Sequence, residues 1–113
     1  MTTAFDQAIV VTASDRGGQA GPTGPSRFTW RVPAGWEQGR GAWGGLVVGA
    51  CLEAVQQAGV AADGAEADGS QARPVRTVTA HLMGPVLAGT ANVEVAAVRV
   101  GSSMSTWSAR VLD

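Results

Sequence analysis

Residues 39–59, GRGAWGGLVVGACLEAVQQAG, hold the one long stretch of this chain in which apolar residues recur at helical spacing. Leu46, Val47, Ala50, Cys51, Ala54, Val55 and Ala58 fall on one stripe, which predicts a helix from Leu46 to Ala58 with Gly59 as its C-terminal cap. Two adjacent glycines, Gly44 and Gly45, stand behind Trp43 at its first turn, where poor helix formers need a reason. Small residues at 49, 50 and 54 let another backbone approach the helix closely. With a single helix of this kind, the remaining apolar residues have to be buried by sheet.

The rest of the chain agrees. FDQAIVVT (5–12) is rich in β-formers and predicts a first strand, followed by the Gly/Pro/Ser loop ASDRGGQAGPTGPS. RFTWRV (27–32) alternates Phe28, Trp30 and Val32 with Arg27, Thr29 and Arg31, a strand with one wet face. PAGWEQGRGAWGG reads as an irregular connection. After the helix, VAADGAEADGSQARP reads as a surface loop, and its three acids match no calcium-loop spacing, so no metal is expected. VRTVTAHLM, ANVEVAAVRV and SMSTWSARVL then each alternate as strands, with LAGT and GSS between the last pairs. The order strand, strand, helix, three strands predicts one α+β domain over residues 1–113, an antiparallel sheet with the helix stripe laid on one face.

Charge excludes some functions. Nine acids face eight bases, every base is arginine, and no basic cluster suggests a nucleic-acid surface. No charged-then-apolar leader and no apolar run of about 18 residues is present, so a cytoplasmic protein without a membrane partner is expected. The single cysteine, Cys51, sits among small apolar helix residues with no histidine nearby in sequence, and reads as core filler rather than a nucleophile.

Several of these segments together resemble a hotdog-fold thioesterase domain, in particular the N-terminal half of the double-hotdog acyl-CoA thioesterase II type. The segments are FDQAIVV at the start, Trp43 then Gly44–Gly45 opening the central helix, VTAHLMGPVLAG after it, and VEVAAVRVGSSMSTWSARVLD as the closing hairpin. The resemblance runs over nearly the whole chain. It implies a hotdog fold, an antiparallel β-sheet wrapped around one central α-helix, lacking the last strand because the family continues past a segment like ARVLD with one more. A sheet short of a strand exposes backbone donors and acceptors, so a homodimer or another hotdog partner is expected to cover it.

The resemblance also implies a site. The amides of Gly44 and Gly45 would serve as oxyanion donors for an acyl-CoA thioester, with the helix dipole behind them, while Trp43 and Leu46 shape an apolar pocket. Equally, the glycine pair would simply allow tight entrance into a buried helix. The family's helix acid would fall at Leu52; Glu53, about 100° around the helix, is expected to face away into solvent. His81 shares a strand face with Thr77 and Thr79, a polar trio that lines a pocket or coats the sheet; His81 is the candidate base and Thr79 a candidate substrate contact. In double-hotdog enzymes the groups acting on water come largely from the second domain, so a non-catalytic acyl-binding or scaffolding half is the alternative to a hydrolase. A hotdog dehydratase ranks last, since TAHLMGP gives His81 no acidic neighbour. No cofactor is expected. Trp30, Trp36, Trp43 and Trp107 would floor an aromatic-acyl pocket or fill the core, and Arg40, Arg73 or Arg76 would meet CoA phosphates or remain solvated.

Overall fold

The computed structural model describes residues 3–14, 25–63 and 73–112. Its elements are α1 (Ala4–Ala8), β1 (Val11–Ala13), β2 (Ser26–Val32), β3 (Glu37–Gln38), β4 (Gly41–Ala42), α2 (Gly44–Asp63), β5 (Gly89–Val100) and β6 (Ser105–Leu112). Strands β1-β2-β5-β6 form one antiparallel sheet in that order, and β3-β4 form a small separate hairpin. This is the mixed α+β architecture, antiparallel sheet and one central helix, that the sequence predicts for a hotdog fold.

The core forms because alternation in the strands and the helix stripe meet. Phe28, Trp30 and Val32 of β2 and Ala91, Val93 and Val95 of β5 share the buried sheet face, packed against Leu46, Val47, Ala50, Ala54 and Ala58 of α2. The alanines carry little volume, so helix and sheet approach closely, as the small-residue pattern predicts. Trp30 is fully buried and donates its indole Nε1–H to the Ala8 carbonyl at 2.8 Å, satisfying its one polar atom. On the solvent face, Glu94 accepts from Arg110 at 2.8 Å and pairs with Arg27 at 3.2 Å, one row across three neighbouring strands.

Four expectations need correction. The first strand begins later than FDQAIVVT suggests: residues 4–8 are helical and only Val11–Ala13 pair with β2. The helix is held by a capping box in which Thr3 Oγ1 accepts from the Asp6 amide and the Asp6 carboxylate accepts from the Thr3 amide. The irregular connection contains the β3-β4 hairpin, turned at Gly39, whose φ of 76° suits glycine. Helix α2 begins at Gly44 and passes through Gly59 to Asp63, so Gly59 is no cap. VRTVTAHLM, residues 75–83, has no ladder partner among the described residues. Most of the two expected loops, residues 15–24 and 64–72 with two of the three loop acids, lies outside the described residues; among the described residues no metal-holding cluster occurs.

Residues 73–88 nonetheless have anchors at both ends. Arg73 donates to the Gly101 and Ser102 carbonyls and to Ser105 Oγ, which fixes the start of the segment at the β5-β6 turn. At the other end the Val86 carbonyl accepts from the Ala42 amide at 2.8 Å. Gly41 makes that approach possible, because a Cβ there would fall 2.8 Å from the Val86 nitrogen and from Pro85. The segment is thereby carried past the start of α2.

Candidate active site

The start of α2 has an unusual local economy of donors. The Trp43 carbonyl accepts from both Leu46 and Val47, at 2.9 and 3.2 Å, while the Trp43 amide donates to the Trp36 carbonyl. The amides of Gly44 and Gly45 make no hydrogen bond among the described residues. They are two of the donors that a helix start leaves without intrahelical acceptors. No acidic side chain stands in the first turn to compensate the dipole. An acceptor bearing developing negative charge would meet a favourable field here.

Both glycines are closely covered. A Cβ at Gly44 would lie 2.6 Å from Leu82 Cδ1, and one at Gly45 would lie 2.7 Å from Trp43 Cη2 and Cζ2. The helix start leaves these two amides unpaired, and the absence of side chains at 44 and 45 admits a leucine and an indole against the backbone.

Alanines 50, 54 and 58 face the sheet, so the opposite side of α2 turns outward and lines a groove of about 630 Å³. Phe5 and Ile9 form one wall, Val75 and Leu82 the other, and Gly44, Gly45, Val48, Gly49 and Leu52 the floor. Among the described residues the one charged lining group is Glu53, with Gln56 beside it. Gly49 lets the α1 wall come in, since a Cβ there would fall 2.8 Å from Phe5 Cζ. Phe5 in turn meets Trp36 edge-on with ring centroids 6.1 Å apart. An apolar trough with unpaired amides at one end and a carboxylate along its floor can hold a hydrocarbon chain with a carbonyl at its head.

Glu53 corrects the sequence reading. It is half-buried and lines the same groove as Gly44, Gly45 and Leu52, because α1 and residues 73–88 build walls on the helix face that the apolar stripe leaves outside. The only sequence signal for it is its place eight residues after Gly45, close to the position the family resemblance implies for an acid.

The other predicted residues are placed as follows. Trp43 is 45% exposed against the helix start, whereas Leu46 is fully buried beneath the sheet and takes no part in lining the groove. Thr79 and His81 are exposed in the unpaired segment and do not line the groove, although His81 adjoins Leu82, which does. Of the tryptophans, Trp30 is core, and Trp36 and Trp107 pack against it partly buried. Arg73 is engaged with the β5-β6 turn, while Arg40 and Arg76 are exposed. Burial pushes the Cys51 thiol above its ordinary value, which disfavours the nucleophilic thiolate.

Residues 32–113 match the protein family described as acyl-CoA thioesterase N-terminal domain. No curated protein and no solved structure matches the chain.

Proposed function

Since the chain belongs to the acyl-CoA thioesterase N-terminal domain family, we propose that it hydrolyses acyl-CoA thioesters at the head of the α2 groove. The observation that carries this reading is the coincidence, in one apolar groove, of the unpaired Gly44 and Gly45 amides with the Glu53 carboxylate. The acyl chain lies along Val48 and Leu52, under Trp43 at the head, and the thioester oxygen accepts from the glycine amides. Eight residues separate Gly45 from Glu53, about 12 Å along the helix axis. That is too far for the carboxylate to attack the carbonyl carbon itself, and it favours general-base action through one water. The water gives a proton to Glu53 as its oxygen adds to the carbonyl carbon. The C–S bond then breaks with its electron pair going to sulfur, and the proton returns to the CoA thiolate. His81, beside Leu82, is the second candidate base.

The partner follows from the sheet. β6 pairs only with β5, and neither its other edge nor residues 73–88 has a ladder partner among the described residues. A second hotdog, a copy of this chain or another domain, is proposed to cover them, and light scattering over a concentration series measures this. Among the described residues no helix is long and apolar enough to cross a membrane.

The test is hydrolysis of short, medium and aromatic acyl-CoAs by the protein and by Glu53→Gln and His81→Ala variants. General-base catalysis by Glu53 predicts a loss of about 10²–10⁴-fold in the first variant and little change in the second. Turnover equal to that of both variants would remove the catalytic assignment. The close cover of the glycines by Leu82 and Trp43 favours a second reading, a non-catalytic acyl-binding hotdog, for which acyl-CoA binding without turnover is the expected result.

A further inference from the structure

Gln57 stands one helical turn beyond Glu53, at the spacing where side chains on a helix meet. Its Nε2 donates two long hydrogen bonds, to Glu53 Oε2 at 3.4 Å and to the Val11 carbonyl oxygen at 3.3 Å. The two protons of the amide thus go to two oxygens, one on the central helix and one on the edge strand β1. The reverse orientation of the amide would set its own oxygen against both acceptors, so the network fixes which end faces Glu53. Glu53 Oε2 is the carboxylate oxygen so held. The second oxygen, Oε1, makes no hydrogen bond among the described residues.

We infer that Gln57 is a positioning residue for Glu53: tied to the backbone of β1, it holds one carboxylate oxygen and so presents the other to a water in the groove. This rests on the hydrolytic reading of that groove. A glutamate on a half-buried helix face has three side-chain torsions, and a general base is effective only when its free oxygen sits within hydrogen-bond reach of the proton it takes. The strand carbonyl supplies what a purely helical pair would lack, a fixed point off the helix. Gln57 itself does not line the groove and is no catalytic residue.

Two measurements on the full chain test this. In ¹⁵N spectra of the Gln57 side-chain amide, Glu53→Leu should shift one of the two Nε2 protons upfield and leave its companion, bound to Val11, in place. In kinetics, Gln57→Leu should lower kcat about tenfold with KM unchanged, and Gln57→Lys, which keeps a donor, should recover most of the loss, with circular dichroism confirming that each variant is folded. If Glu53→Leu leaves both protons unmoved, the pair does not exist and the inference fails whatever the activity. A shifted proton with undiminished kcat in Gln57→Leu also overturns it. A shifted proton in a protein that turns over no acyl-CoA instead sinks the hydrolytic reading, and with it any catalytic use of the pair.

Discussion

The indole of Trp43 lies against the backbone of Gly45 so closely that a Cβ at 45 would fall 2.7 Å from two of its ring carbons, yet Trp43 is itself 45% exposed. A side chain that exposed can swing outward. Gly45→Ala should therefore displace the ring without unfolding the helix, and the gain in helix propensity, at most about 1 kcal/mol, offsets part of the lost contact. Denaturant unfolding should change by less than about 1 kcal/mol, while tryptophan emission shifts to the red as the indole enters water.

Gly49 is the contrasting case on the same helix. The neighbour of its missing Cβ is Phe5 at 2.8 Å, with Ile9 Cγ2 at 3.3 Å, and Phe5 is backed by Trp36 rather than by solvent. Neither can move without opening the groove wall, so Gly49→Ala should cost about 1–3 kcal/mol in denaturant unfolding. A loss no larger than that of Gly45→Ala would mean that α1 is not firmly seated.

These two glycines also mark what the sequence could and could not disclose. β2, β5, β6 and the inner face of α2 follow from periodicity, because burial on one face writes a period of two or 3.6 directly into residue order. α1 was hidden under β-formers, although Thr3-Ala4-Phe5-Asp6 carries the capping-box spacing that would have found it. Residues 75–83 alternate as a strand should, but a strand also needs a neighbour, and no local pattern reports one. The groove escapes a local reading for the same reason: the stripe locates the sheet-facing side of α2, while the walls beside Glu53 come from segments more than forty residues before it and more than twenty after it.

The indole of Trp30 predicts a different kind of failure. Trp30→Phe keeps an aromatic ring in the core but removes the donor to the Ala8 carbonyl, 22 residues away. An unsatisfied buried carbonyl costs about 1–3 kcal/mol, and smaller ring volume adds to it. Since that bond ties α1 to the sheet, hydrogen exchange in residues 4–8 should accelerate more than exchange in β5. Uniform acceleration would show that α1 is held by Phe5 and Ile9 instead.

The Arg27–Glu94–Arg110 row gives the fold an acid-sensitive contact. The hydrogen bond from Arg110 outweighs the opposing effect of desolvation and, with the charges of Arg27 and Arg110 adding to it, holds the Glu94 carboxyl below its ordinary value of 4.5. A carboxyl lowered in the folded state stabilises it above the unfolded value and loses that contribution as pH falls through the folded one. Melting temperature should therefore drop from pH 5 towards pH 3 in the parent chain and drop less in Glu94→Gln, which starts lower at pH 7. Both arginines of the row are solvent-exposed, so about 1 M salt should narrow the difference between the two proteins at pH 7. Parallel melting curves for parent and variant across that pH range would assign the acid sensitivity to another carboxyl.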